Sequence, residues 1–169
     1  METIIATALV GGVCAGAVRV VAAAKVHAFR HDSLLKGQRL ADELLDEALA
    51  KPFDDPDATI TVFGLDSGEV GPLADRASFD DVDDFHGWYE SPPRTRDGAT
   101  LPGYDADWMR FVLVERVSPG LLVVGPDSGR LRVTVSVRRR GAVVATSTGY
   151  RTRAADAVSA EWTDAEAAP

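Results

Sequence analysis

From Thr3 to Val18 the chain carries no charge, and after Arg19 the apolar run resumes from Val20 to Ala24 before Lys25. Further on the pattern becomes striped. Leu34, Ala41, Leu44, Leu45, Ala48 and Leu49 follow helical spacing, while Asp42, Glu43, Asp46 and Glu47 take the other side. Pro52 breaks the ladder. The pattern predicts one continuous helix from about Glu2 to Lys51, about 75 Å long at about 1.5 Å per residue, with Gly37 marking a bend. A helix of that length cannot be buried in a domain of this size.

Past Pro52-Phe53-Asp54-Asp55-Pro56-Asp57, a turn cluster, the reading is a short strand from Ala58 to Phe63 and then an ordered Asp/Pro/Gly-rich loop reaching residue 107. Within it Phe79, Val82, Phe85 and Trp88 recur at helical spacing, which predicts a packed segment. From Trp108 the period becomes two. Met109, Phe111 and Leu113 alternate with Val112 and Val114, and Leu131, Val133, Val135 and Val137 alternate with Arg130, Arg132, Thr134, Ser136 and Arg138. Arg139-Arg140-Gly141 reads as a hairpin loop and Ala142 to Tyr150 as the returning strand, with Leu121 to Val124 adding a short piece. The fold class is α+β: a long N-terminal helix packed on a small antiparallel sheet. The organisation is a membrane or filament-core helix half over 1–26, then a head over 27–153 (helix 27–51, loop 52–107, sheet 108–150), then a flexible acidic tail over 154–169.

Composition adds exclusions. One cysteine, Cys14, rules out an internal disulfide and a cysteine-based zinc site. The net charge of -8 argues against a nucleic-acid partner bound through phosphate neutralisation. Its distribution is uneven: residues 52–107 hold fourteen acids against three bases, and residues 108–153 hold nine arginines against Glu115 and Asp127. Such segments pair within one molecule or between copies, and pairing within the molecule is the expectation.

The apolar start admits three readings: a signal peptide, a buried core helix and a single membrane helix. Glu2 stands where a signal peptide has basic residues, and the run is apolar all round where a core helix would be striped. A carboxylate at the head of a membrane segment costs about 2–3 kcal/mol and is there for a partner. Ala8, Gly12 and Gly16 recur every four positions on one face, where another helix can approach closely. Glu2 and this small-residue face therefore predict a helix packing against copies of itself in or beside a membrane. His27 and His31 share the spacing of a helical metal pair but lack a third ligand, so a solvated pair is expected. Asp80, Asp81, Asp83 and Asp84 offer hard oxygens suited to calcium without the EF-hand spacing, and the other reading is an acidic turn capping a short helix and facing the arginines. No GxSxG, HExxH or P-loop occurs, and His86 beside Asp83 or Asp84 is expected to be structural, so an enzyme is not expected.

Met1-Glu2-Thr3-Ile4-Ile5-Ala6-Thr7-Ala8-Leu9 resembles the prepilin methylation segment, Glu2 matching the glutamate at its fifth mature position. Ala41 through Glu47 with Lys51 through Pro56, and Phe79 through Trp88 with Ser91-Pro92-Pro93, are similar to MshD-like minor pilins. The resemblance to type IV pilins and type II secretion pseudopilins covers residues 1 to about 153. It implies a non-enzymatic minor subunit of a pilus or secretion filament, anchored in the inner membrane by one helix with a periplasmic head before assembly. It also implies sibling pilins as partners through the N-terminal helix, with Glu2 pairing with a neighbour's N-terminal amine. The family's basic leader and Gly-Phe-X-Leu stretch do not precede Glu2, so the expectation is a true start upstream and a prepilin peptidase acting there. Some pseudopilins bind calcium in their loop, which directs attention to Asp80, Asp81, Asp83 and Asp84. The alternative is a membrane-anchored periplasmic binding module that does not polymerise.

Overall fold

The computed structural model describes residues 2–56, 63–64, 76–125 and 127–157, and for residues 2–10 the backbone alone. The strand expected over Ala58–Phe63 lies outside the described residues but for Phe63. The chain divides into two compact units, Met1–Lys36 and Gly37–Pro169.

One helix, α1 (Glu2–Leu49), supplies the first unit and begins the second. It ends two residues before the expected boundary. Lys51 N–H bonds back to the Ala48 carbonyl in a tightened last turn at 3.2 Å, and Pro52 follows. In the first unit every described residue from Gly11 to Asp32 is exposed, large apolar side chains included.

In the second unit α1 is striped. Leu40, Ala41, Leu44, Leu45 and Ala48 are buried while Asp42, Glu43 and Asp46 face water. The expected stripe is corrected in three places: Leu34 is exposed, Leu40 takes a buried position, and Glu47 is half-buried. Six residues separate Leu34 from Leu40, about 600° of helix at about 100° per residue, so they fall about 120° apart around the axis and only one can lie on the sheet.

The sheet is antiparallel in the order β1-β2-β3-β4. Its strands are β1 (Tyr89–Glu90), β2 (Trp108–Arg116), β3 (Arg130–Arg139) and β4 (Ala142–Thr152). Register aligns Val112 with Val135 and Ser147, and Val114 with Val133 and Gly149, so one face carries the core. That face comprises Trp108, Val112, Val114, Leu131, Val133, Val135, Val137 and Ala145, and it meets the α1 stripe. The hairpin between β3 and β4 turns on Arg140 and Gly141 at φ 51° and 81°, as its sequence predicts. A bulge after Val137 shifts the register of β4.

Two glycines set the helix–sheet distance. A Cβ on Gly37 would fall 2.8 Å from Val144 Cγ2, and one on Gly149 would fall 2.5 Å from Leu49 Cδ1. Gly37 is thus a point of close approach to β4. Ser147 Oγ donates to Asp42 Oδ1 at 2.5 Å and accepts from Gln38 Nε2 at 2.8 Å, which pins β4 beneath the helix.

The long loop is packed as its apolar spacing predicts. Phe79, Val82 and Phe85 join the core, with the Phe79 and Phe85 rings edge to face at 4.9 Å. It also contributes β1 and a 3₁₀ turn at Asp83–Phe85, both too short to leave a period in the sequence. Of the segment expected to form a loose tail, residues 154–157 continue a helical turn begun at 153, and Asp156 accepts a hydrogen bond from the Phe53 N–H at 2.6 Å. Residues 158–169 lie outside the described residues.

Candidate functional site

In the first unit the site is a surface. An 18-residue window of α1 is apolar enough to cross a membrane, and none of it is buried. Val13, Val18, Val20, Val21 and Phe29 are each more than half exposed. A Cβ placed on Gly12 or Gly16 would meet nothing within 4 Å, so this stretch of backbone is open to close approach. Cys14, His27 and His31 are likewise exposed. Glu2 and Ala8 lie in α1, and their side chains fall outside the described residues.

The acidic turn is built by its own carboxylates. Asp81 Oδ1 accepts from the N–H groups of Asp83 and Asp84 at 2.7 and 3.1 Å. Asp84 Oδ2 reaches back to the N–H groups of Asp80 and Asp81 at 2.9 and 3.1 Å. This reciprocal pattern is a capping box, with an acid at each end satisfying the other's backbone donors. Asp81, Asp83 and Asp84 bring one oxygen each within 4.8 Å of one another; Asp80 enters through its N–H.

Burial, then a hydrogen bond to Asp83, then the neighbouring acids push the Asp81 carboxyl up to about 8. Asp83 is also raised, chiefly by burial. The two acids therefore share a proton at neutral pH, and a cation can replace it only by displacing it. His86, the only imidazole beside them, turns to the sheet: its Nδ1 donates to the Val114 carbonyl at 2.7 Å and its ring meets Phe63 edge-on.

A third group has no local signature in the sequence. Arg110 occupies a core-facing position of β2 and is 1 % exposed. Its Nε donates to Glu90 Oε1 at 2.7 Å and its Nη2 to the Arg94 carbonyl at 2.7 Å. Arg76 Nη2 donates to that same carbonyl at 3.0 Å, while its guanidinium pairs with Glu47 at 3.1 Å and Glu90 at 3.5 Å. Burial lowers the Arg76 pKa, the Arg110 charge adds to the effect, and Glu47 and Glu90 oppose it. The four side chains tie the long loop to α1 and β2, a structural use of buried charge. Arg110 shares its side of β2 with Trp108, Val112 and Val114.

Charge pairing crosses the acidic and basic segments within the molecule. Asp107 pairs with Arg140 at 2.7 Å, and Arg153 bridges Asp54 and Asp127 at 2.7 and 2.6 Å. Compared with protein-family models, curated proteins and solved structures, the chain matches none.

Proposed function

We propose that the chain is a non-enzymatic, pilin-like filament subunit, a minor pilin or pseudopilin, that waits in the inner membrane on the first unit of α1 and assembles through it. The observation that carries this reading is the complete exposure of an apolar stretch long enough to span a bilayer. Apolar area left in water costs about 25 cal/mol per Å², so a helix apolar on every side needs lipid or other helices around it. The second unit needs no such help, since its own sheet covers the α1 stripe.

Glu2 supplies register in this reading. In a low-dielectric setting a carboxylate and a neighbour's terminal amine attract strongly, and either one left alone is penalised. The Ala8, Gly12 and Gly16 face lets neighbouring helices approach. Sibling subunits are the partners, the head stands on the periplasmic side, and a prepilin peptidase acts on any leader upstream. The test is Glu2→Ala. It should abolish recovery of the chain in sheared filaments while leaving the thermal unfolding of the second unit unchanged; undiminished recovery would refute the reading.

A further inference from the structure

Between Thr3 and His31 the chain holds no acid, and its lysines and arginines there are Arg19, Lys25 and Arg30. All three are exposed on α1. The first acid beyond them, Asp32, pairs with Lys36 at 3.0 Å rather than with Arg30. Among the described residues these three cations therefore have no acidic partner. In the second unit, by contrast, Arg132, Arg140 and Arg153 each meet a carboxylate at 2.7 or 2.8 Å.

The cations do not share one side of the helix. At about 100° per residue Arg30 returns to within about 20° of Arg19, whereas Lys25 lies about 120° round the axis. Val20, Val21, Val26 and Phe29 fall in the same interval, each more than half exposed, and on the same count they too are spread around the axis. A protein surface meets one side of a helix and would leave some of these cations uncovered. A lipid interface meets every side at once, with acyl chains for the valines and phosphates for the cations.

We infer that Arg19, Lys25 and Arg30 form a collar that gathers anionic phospholipid headgroups around α1 where it leaves the bilayer. The inference rests on the membrane anchoring proposed above and not on filament assembly. The levels along the axis agree with it. Thr3 to Ala24 is about 33 Å of helix at about 1.5 Å per residue, against a hydrocarbon core of about 30 Å. Lys25 then falls among the headgroups. Arg19 lies about 9 Å deeper, with a long stem that carries its charge toward the interface. Arg30 stands about 7.5 Å further out, within the roughly 8 Å over which an anionic surface is felt at physiological salt. Opposite charge at each level is what an anionic leaflet supplies.

The experiment reconstitutes the full chain, with Cys14→Ser and a donor fluorophore on Val26→Cys, into phosphatidylcholine vesicles holding about one-fifth phosphatidylglycerol. Val26 is 51 % exposed and lies between Lys25 and Arg30. A trace of acceptor-labelled phosphatidylglycerol or, in matched vesicles, acceptor-labelled phosphatidylcholine reports which lipid lies beside the collar. Phosphatidylglycerol should be enriched about fivefold, the factor for one basic side chain near an anionic surface, since each headgroup lies against one cation at a time. Combining Arg19→Gln, Lys25→Gln and Arg30→Gln should bring the two lipids to parity, and high salt should lower the parent's enrichment. Unchanged thermal unfolding of the second unit reports that the variant is folded. Parity in the parent, with transfer to both lipids intact, would overturn the inference and leave the membrane reading standing. Enrichment that survives the triple substitution would overturn it too. Parity together with transfer between copies that the triple substitution abolishes would assign the collar to an acidic protein surface instead. Transfer to neither lipid would mean that α1 is not in the bilayer, and both readings would fall.

Discussion

Two stretches of α1 have similar helix-forming sequences and opposite fates. Between Val13 and Leu35 the large apolar side chains are exposed, whereas Leu40, Leu44 and Leu45 are buried. Secondary structure therefore does not decide burial; the partner does. The second stretch alternates its apolar side with Asp42, Glu43 and Asp46, and it meets a sheet thinned by Gly149 to receive Leu45 and Leu49. The first stretch is apolar all round as far as Val18, with no polar side there to give to water, so no single sheet could satisfy it. A sequence apolar on one face specifies a protein neighbour; one apolar on every face specifies a surrounding solvent of lipid or helices.

Substitutions in the second unit should separate the two stretches sharply. Arg110→Ala leaves the half-buried Glu90 carboxylate without its main partner and should cost about 3 kcal/mol in a urea melt of the full chain. Leu44→Ala opens a cavity beneath the sheet and should cost about 2–5 kcal/mol. Val20→Ser in the first unit should shift the same melt by less than about 0.5 kcal/mol. An equal loss from Val20→Ser and Leu44→Ala would break the comparison, because it would mean that the first stretch is also folded into a protein core.

Asp84→Ala removes the acceptor of two backbone N–H groups and should cost about 1 kcal/mol, near the usual value of a lost helix cap. A further test changes the pH and deletes no side chain. Asp81 holds its proton up to about 8 when folded, against an ordinary value near 3.8 when unfolded. The folded state binds the proton more tightly, so this contribution is fully present below about pH 4 and is lost as pH rises through about 8. Asp81→Asn keeps the Oδ1 acceptor and needs no proton. Its urea midpoint should fall less than the parent's between those pH values, and an unchanged slope would locate the proton elsewhere.

β2, β3 and β4 were legible because each is long enough to show its period: β3 alternates Leu131, Val133, Val135 and Val137 with polar residues, and Arg140-Gly141 marks the turn. The length of α1 was legible from the apolar run to Ala24, the stripe that follows it and Pro52. What escaped depends on distance in the chain. Glu47, Arg76, Glu90 and Arg110 meet across more than sixty positions with no local pattern to announce them. The choice of Leu40 over Leu34 is likewise set by where the sheet lies, which helical spacing alone does not fix. At the acidic turn the sequence left calcium and capping both open, and the Asp81–Asp84 hydrogen bonds supply the capping arrangement directly.

The most direct measurement of the central claim uses the native thiol of Cys14, which lies exposed in the apolar window. Membranes from cells expressing the full chain are treated with a charged, membrane-impermeant maleimide, before and after solubilisation in sodium dodecyl sulfate. The account predicts a chain confined to the membrane fraction, with Cys14 unlabelled in intact bilayers and fully labelled after solubilisation. A chain recovered in the aqueous fraction, with Cys14 either labelled at once or shielded inside a soluble fold, would contradict it.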